Sequence, residues 1–405
     1  MPYHYRSIQL PDPKNIRSGP LRGSVVSGIV TVMTVKLVSV GGRQGDLDRI
    51  QEAAQIVEAG GLVAFPTETV YGIACRAERK ALVRLDRIKG RDAGKHYTVH
   101  IGQMDDYRNY VPQIGMRAEK LLRQAWPGPL TVVFELDSAK IGKYRDRLGA
   151  DVSDTVYKNR SIGIRFPDHP VASLLLRLAD CPVVAPSANR AGREPATTAD
   201  AVVAQLGDDV DLVLDGGTCK YGKSSTVAAV GPRGIQLLRE GVYSAADVRT
   251  MSEIVFLFVC TGNTCRSAMA EGLFRKYLAE KIGCDVDELG ERGYKVLSAG
   301  TMMMAGAPAS FESVTACASK GVDISGHVSR PLTRSLIVAS DYIFCMTQAH
   351  RKQVIDLAPI AEPNCHLLVP DGEVPDPIGQ SQEYFNRCAG CIEAAIKARI
   401  SELAL

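Results

Sequence analysis

Apolar positions first fall into register at Asp46. Leu47, Ile50, Ala53, Ala54 and Val57 recur at helical spacing, and Gly60-Gly61 ends the pattern, which predicts an amphipathic helix. Leu62 to Phe65 is a short unbroken apolar run that predicts a buried strand, leaving through Pro66-Thr67-Glu68-Thr69. Strand and helix patterns then alternate to about Val248, with Pro127, Pro129, Pro167, Pro170, Pro182 and Pro186 punctuating the loops. Around Thr250 the chain restarts. Ile254 to Val259 is continuously apolar, as a central parallel strand buried on both faces must be. A polar loop and a helical repeat (Met269, Leu273, Tyr277) follow at once. Further strands are predicted at Lys295–Ser298, Tyr342–Met346 and Cys365–Leu368, and Gln382–Leu403 reads as one amphipathic helix. The expectation is α/β throughout: a first domain over residues 36–250, then a smaller doubly wound, parallel-sheet domain over 251–405. The boundary is expected between Val248 and Glu253. The halves share no repeat. Residues 1–35, with Pro2, Pro11, Pro13 and Pro20 and little periodicity, read as a disordered lead ahead of a start at Met33.

Composition narrows the class. At 45% hydrophobic and 23% charged residues, the 405-residue chain is ordinary for a globular protein with real cores. Lys and Arg number 48 against 45 Asp and Glu, a net charge of +3, which excludes a dedicated nucleic-acid coat but leaves room for a local basic cleft. Eleven scattered Cys, an odd number, point to a reducing compartment instead of a disulfide scaffold. No run reaches the roughly 18 apolar residues of a membrane span. The apolar stretch Ser24–Val40 is interrupted by Lys36 and lacks a small-x-small cleavage site, so no secretory signal is expected. These features predict a cytoplasmic, multidomain, enzyme-sized protein without a membrane contact.

The sharpest chemistry follows the second apolar strand: Cys260-Thr261-Gly262-Asn263-Thr264-Cys265-Arg266-Ser267. Successive backbone N–H groups of a tight loop at a helix N-terminus form a cradle for a tetrahedral anion. Arg266 grips two phosphoryl oxygens bidentately, which Lys cannot. The same positive field makes the Cys260 thiolate the attacking group. Gly262 is expected to permit the unusual backbone turn, and the Ser267 hydroxyl to stabilise the thiolate. Pro375-Asp376-Pro377 offers an acid for the leaving group on a stiff loop. A bare Cys-x5-Arg match is cheap by chance, so the strand before it, the helix after it and the Asp-Pro near the end carry the weight. These residues resemble the low-molecular-weight protein-tyrosine-phosphatase family, which includes bacterial protein-arginine phosphatases. The likeness runs on through Ser298-Ala299-Gly300-Thr301, His327-Val328-Ser329-Arg330 and Met346-Thr347, so it covers nearly all of 253–405. It implies catalytic roles for Cys260 (nucleophile), Arg266 (phosphate clamp) and Asp376 (general acid), with Thr261, Gly262, Asn263, Thr264, Cys265 and Ser267 in the phosphate loop and no cofactor. Ala268 stands where Pro is usual, and Ile378-Gly379 where many tyrosine-directed members carry two Tyr. With Thr264 at the rim, this turns the expectation towards phosphoarginine over phosphotyrosine in a phosphorylated protein substrate.

In the first domain, Gly217-Thr218-Cys219-Lys220-Tyr221-Gly222-Lys223-Ser224 satisfies the Walker expression, yet Ser225–Val230 is β-branched and reads as a strand where that loop must open a helix. The better constellation is dispersed. Lys89-Gly90-Arg91 and Lys95 place three cations within seven residues, and Pro186-Ser187-Ala188-Asn189 supplies a hydroxyl and an amide at a strand exit. Either alone is a solvated helix end or a cap. Together with Pro66-Thr67-Glu68-Thr69-Val70-Tyr71-Gly72, Trp126-Pro127-Gly128-Pro129 and Asp215-Gly216-Gly217, they resemble the YrdC-like threonylcarbamoyl-AMP synthases in their short form, across about 36–248. The resemblance implies a twisted mixed sheet. It also implies synthesis of threonylcarbamoyl-AMP and pyrophosphate from L-threonine, bicarbonate and ATP with Mg²⁺, feeding downstream tRNA-modification proteins. Lys89, Arg91, Lys95, Ser187, Asn189 and Arg239 are then expected around ATP, and Thr69, His100, Arg165 and Ser225 around threonine. Asp92 and His96 stand where the family usually has prolines.

Other features are not promoted. Cys388-x-x-Cys391 lacks a second ligand pair, and His327, His350 and His366 lack metal-type spacing, so no metal site is expected. Met302-Met303-Met304 reads as a mobile loop near the second site, and Cys265 as a partner for a protective disulfide with Cys260. The rivals are a noncatalytic double-stranded RNA-binding first domain, which adds RNA as a contact, and an arsenate reductase as the second.

Overall fold

The computed structural model describes residues 35–41, 45–90, 97–231, 234–303 and 305–405. The expected lead, the start at Met33, and Arg91, Asp92, Lys95, His96 and Met304 lie outside the described residues. The first region runs β1 (Lys36–Ser39), α1 (Asp46–Glu58), β2 (Val63–Phe65), β3 (Gly72–Arg76), α2 (Arg79–Lys89) and β4 (Thr98–His100). It continues with α3 (Met116–Ala125), β5 (Leu130–Glu135), α4 (Ser138–Leu148), α5 (Ala150–Val156), β6 (Ser161–Arg165), α6 (Pro170–Leu178) and β7 (Val183–Val184). It closes with α7 (Ala199–Leu206), β8 (Leu212–Asp215), β9 (Thr226–Gly231), β10 (Gly234–Arg239) and α8 (Ala245–Ser252). Its strands form one mixed sheet in the order β1-β8-β2-β3-β7-β4-β6-β5-β9-β10. Alternation along β2 shows why it is covered on both faces. Leu62 and Ala64 join one apolar cluster, while Val63 and Phe65 pack with Ile50, Ala53, Ala54 and Val57 of α1 and Val171, Ala172 and Leu175 of α6. Leu47, counted in the apolar repeat of α1, lies in the helix's first turn and is exposed.

The second region holds β11 (Ile254–Cys260), α9 (Arg266–Ile282), β12 (Tyr294–Gly300), α10 (Phe311–Ala318), α11 (Arg334–Val338), β13 (Tyr342–Cys345), α12 (Gln348–Leu357), β14 (Cys365–Leu367) and α13 (Gln382–Glu402). All four strands are parallel, in the order β12-β11-β13-β14. Every residue of β11 is buried. Phe256 and Phe258 face Leu273, Phe274 and Ile392 of α9 and α13, while Leu257 and Val259 face Ile337 and Val354 of α11 and α12. That two-sided burial is the doubly wound arrangement the unbroken apolar run implies.

Helix α8 runs through the expected 250/251 boundary and hands over to β11 after Glu253. Helix α3 docks the first region against the foot of the second. Lys120 Nζ donates to Asp341 Oδ2 at 2.7 Å and to Glu253 O at 2.6 Å, and Arg117 Nε to Ser252 O at 3.2 Å. The Met116 N–H donates to Ala404 O at 2.7 Å, and the Met116 side chain packs into the second region's core. Gly293 takes a left-handed φ of 79°, which favours glycine, and its missing Cβ leaves room for the Arg117 guanidinium over Tyr294. These contacts gather at the N-terminal end of β11, and Cys260 stands at its other end. The described helices include none long and apolar enough to cross a membrane.

Candidate active sites

Strand register assembles the first site. His100 of β4 pairs with Arg165 of β6, Arg165 with Thr131 of β5, Thr131 with Val227 of β9, and Val227 with Arg239 of β10. Residues directly opposite in register share a face, so one row across the sheet brings these side chains together. Arg165 is buried; its Nη2 donates to Glu68 Oε1 at 2.7 Å and Thr69 Oγ1 at 2.6 Å. Glu68 also accepts the Asp168 N–H at 3.0 Å. Arg165 Nε is buried with no hydrogen-bond partner. A buried guanidinium N–H without a partner is costly, and an anionic ligand would satisfy it. Burial, then the charge of Arg165, pushes the pKa of His100 down to about 3, so its imidazole is neutral. Ser225 Oγ lies 3.0 Å from Thr131 Oγ1, and Arg239 Nη2 donates to Ser225 O at 2.8 Å. Gly241, in the loop after β10, lets that loop press on this backbone: a Cβ there would sit 2.4 Å from Ser224 O.

A second cluster adjoins through the Pro66–Gly72 loop. Tyr71 O accepts the Ala188 N–H, and Gly72 bridges to Ser187. Lys89 Nζ, buried, donates to Ser187 O at 2.7 Å, Asn189 O at 2.6 Å and Asn189 Oδ1 at 3.0 Å. The structure thus gathers Thr69, His100, Arg165, Ser225 and Arg239 in one group and Lys89, Ser187 and Asn189 in the other. Arg91 and Lys95 fall outside the described residues. The Walker-like segment leads into strand β9 and opens no helix. Glu68 and Thr131 were missed as site residues. Glu68 lies in the Pro66–Gly72 motif, but its partner Arg165 is 97 residues away, and no local signal links them.

The second site is a contiguous loop between β11 and α9. The Asn263 N–H donates to Cys260 Sγ at 3.3 Å, and Ser267 Oγ lies 2.9 Å from the sulfur. Asn263 Nδ2 donates to Ser267 Oγ at 2.8 Å, which leaves the Ser267 hydroxyl proton for the sulfur. The expected role of Gly262 is corrected here. The left-handed residue is Asn263, at φ 57°, and a Cβ on Gly262 would meet only Thr264 Oγ1, at an ordinary 3.5 Å. Asn263 is held in that conformation by its side chain, since Nδ2 also donates to Ser298 Oγ at 2.8 Å and Oδ1 accepts the Arg330 N–H at 2.9 Å. His327 Nε2 lies 2.7 Å from Asn263 O, and Ser298 Oγ donates to Glu271 Oε2. Gly300 is required where the loop passes, because a Cβ would stand 2.7 Å from Thr261 O.

Arg266 Nη2 donates to Asp376 Oδ2 at 2.6 Å, with the guanidinium buried and the carboxylate half-exposed at the mouth. Thr264 is half-buried, its Oγ1 3.7 Å from Cys265 Sγ, and Cys265 in turn reaches Ser310 Oγ. His350 is buried against the loop, with Nε2 2.9 Å from Thr261 Oγ1. Sequence reasoning missed Glu271 and His350, and it placed Ser298 and His327 only within segments of family resemblance, without a role. All eleven cysteines are free thiols, His366 is exposed, and Met302 and Met303 lie exposed beside the loop. Among the described residues no group of three His, Cys, Asp or Glu converges as a metal site.

Comparison with known proteins agrees with this division. Residues 55–241 match the Sua5/yciO/yrdC family model, described as telomere recombination, and residues 255–404 match that of low molecular weight phosphotyrosine protein phosphatase. The threonylcarbamoyl-AMP synthase of Pyrococcus abyssi is 32% identical over 232 residues, 56% of this chain and 65% of that protein. That of Chromohalobacter salexigens is 34% identical over 185 residues, 45% of this chain and 94% of that protein. A solved structure of a YwlE mutant from Bacillus subtilis is 30% identical and covers 37% of this chain and 98% of that one, with a TM-score of 0.33. The chain spans 65%, 53% and 44% of the length of three of the curated relatives it matches. It belongs to the threonylcarbamoyl-AMP synthase family through its first region and to the low-molecular-weight phosphotyrosine protein phosphatase family through its second.

Proposed function

We propose that the chain is a bifunctional enzyme. The first site makes L-threonylcarbamoyladenylate and pyrophosphate from L-threonine, bicarbonate and ATP, for threonylcarbamoyladenosine formation on tRNA by downstream proteins. The observation that carries this half is the buried Arg165, whose Nε has no partner while Glu68 and Thr69 fix its other end. A threonine carboxylate matches that donor, and the Thr69 and Ser225 hydroxyls suit its polar groups. His100 is uncharged and presents no competing cation. The threonine amine attacks the bicarbonate carbon and water leaves, giving a carbamate whose oxygen attacks the α-phosphorus of ATP and expels pyrophosphate. Lys89, Arg91 and Lys95, with Ser187 and Asn189, would neutralise and position the triphosphate, with Arg239 meeting it from the Ser225 side of the site, and Mg²⁺ enters as part of the MgATP substrate. Purified protein is expected to release pyrophosphate only with threonine and bicarbonate both present, and to yield a product with the mass of threonylcarbamoyl-AMP. Absence of that product together with tight duplex-RNA binding would replace this reading with a noncatalytic RNA module.

The second site is read as a cysteine-dependent protein phosphatase. Its carrying observation is the Cys260 sulfur inside the loop, held by the Asn263 N–H and Ser267, with Arg266 and Asp376 joined at the mouth. Cys260 displaces the leaving group at phosphorus, Asp376 gives that group its proton, and water then cleaves the phosphocysteine. An incoming phosphoryl group competes for Arg266 and so releases Asp376 to the leaving atom. Thr264 is a small polar rim residue, which favours a guanidinium leaving group over a flat aromatic ring. Phosphoarginine and phosphotyrosine peptides compared side by side test this, and preference for phosphotyrosine would contradict it.

A further inference from the structure

The phosphatase reading leaves His350 without a role, although it is buried directly against the phosphate loop. It is the third residue of α12, and its N–H donates to Thr347 Oγ1, the helix cap, at 3.3 Å. Its Nδ1 lies 2.8 Å from the same Thr347 oxygen and its Nε2 2.9 Å from Thr261 Oγ1. Thr261 Oγ1 in turn accepts from Arg266 Nη2 at 3.4 Å, the nitrogen that also binds Asp376. An unbroken line of side-chain contacts therefore runs from the cap of α12 through the imidazole and one hydroxyl to the phosphoryl-binding end of the guanidinium. Either ring tautomer serves: one nitrogen donates, the other accepts, and Thr261 keeps a lone pair for Arg266. Thr261 alone has three rotamers to choose from, and the imidazole ties it to the one that meets Arg266.

We propose that His350 is a positioning residue for the phosphoryl clamp, holding Thr261 so that its hydroxyl orients Arg266 towards the bound phosphate. This rests on the phosphatase reading and adds to it a device outside the loop. The charged groups facing His350 are Arg266 of α9 and Asp376 and Glu373 of the segment before α13. Burial, followed by the charge of Arg266, pushes the His350 pKa down to about 4, so the relay carries no charge of its own near neutrality.

The test is a double-mutant cycle with His350→Leu, Thr261→Val and the pair, read as the affinity for inorganic phosphate by calorimetry and as kcat and KM on an aryl phosphate. Each single variant is expected to weaken phosphate binding about tenfold, as loss of a hydrogen bond to a charged group does. The pair should be no worse than the weaker single variant, because both changes cut the same line. KM should rise more than kcat falls, and His350→Gln, which can donate and accept, should recover most of the affinity. Additive losses, or a His350→Leu protein that melts earlier yet binds phosphate normally, would overturn the proposal while leaving the phosphatase reading intact. A wild type that binds phosphate with this coupling but turns over no aryl phosphate would do the reverse. Failure of the wild type to bind phosphate would remove both.

Discussion

The two candidate sites are built by opposite strategies. The phosphatase loop keeps its nucleophile, clamp and most anion donors within Cys260–Ser267, and one strand-to-helix turn arranges them. The synthase site draws His100, Arg165, Thr131 and Arg239 from four strands, and only their shared register brings them together. A loop of backbone donors is organised locally, so its weak points are the contacts that hold its one left-handed residue, Asn263. A site made by sheet register is robust in backbone but depends on each long side chain being aimed by a neighbour, as Glu68 aims Arg165.

That contrast is most exposed at Arg165. Arg165→Lys keeps the charge but loses the planar fork, and threonine-dependent pyrophosphate release should fall about a hundredfold or more, chiefly through KM for threonine. Arg165→Met leaves Glu68 buried and unpaired and should also destabilise the fold by about 3–5 kcal/mol in denaturant unfolding. Equal threonine KM for wild type and Arg165→Lys would take Arg165 out of the threonine pocket. At the contiguous site the matching change is Asp376→Asn. Turnover should drop about 10²-fold or more for poor leaving groups and much less for good ones, since only the former need the proton. A uniform loss would remove Asp376 from that role.

Legibility followed the same division. The phosphatase loop could be read because its chemistry is consecutive in the chain and sits between an apolar strand and a helical repeat. What escaped was how it is supported: Ser298 and Arg330 lie in segments that carry the resemblance, yet nothing local ties them to Asn263, 35 and 67 residues away, or ties His350 to Thr261, 89 residues away. The general preference of glycine for left-handed backbone points to Gly262 for the turn. Asn263 takes it because three side-chain hydrogen bonds outweigh the intrinsic cost. In the first region, Lys89 with Ser187 and Asn189 was visible as motif pieces, while the Glu68–Arg165 pair was not, because strand order decides who meets Arg165. The docking of α3 under β11 left no trace in periodicity, since Arg117 and Lys120 meet partners 135 and 221 residues away.

Smaller effects sharpen the contrast further. His100 has its pKa lowered by burial, so below about 6.5 the unfolded chain takes up a proton that the folded protein refuses until about pH 3. Stability should therefore fall with pH across that window, by about 2 kcal/mol at pH 5 from this group. His100→Gln should flatten the pH dependence of unfolding; an unchanged slope would mean the imidazole is already charged in the fold. The smallest effect belongs to the rim of the loop. Thr264→Ile should shift preference from phosphoarginine towards phosphotyrosine by about tenfold, or ~1–2 kcal/mol, because the change only exchanges one hydroxyl for an ethyl group. No shift in the ratio of kcat/KM values would show that selection happens elsewhere.

The central claim is that one chain carries two active sites that work independently, with Cys260 at the end of β11 away from the α3 contact. It is tested most directly by measuring both reactions on the same preparations of wild type and Cys260→Ser: pyrophosphate released from ATP with threonine and bicarbonate, and phosphate released from an aryl phosphate. The account predicts that Cys260→Ser loses phosphate release by several orders of magnitude while pyrophosphate release stays at the wild-type rate. Loss of both activities in Cys260→Ser, or a wild type that releases no threonine-dependent pyrophosphate, would contradict it.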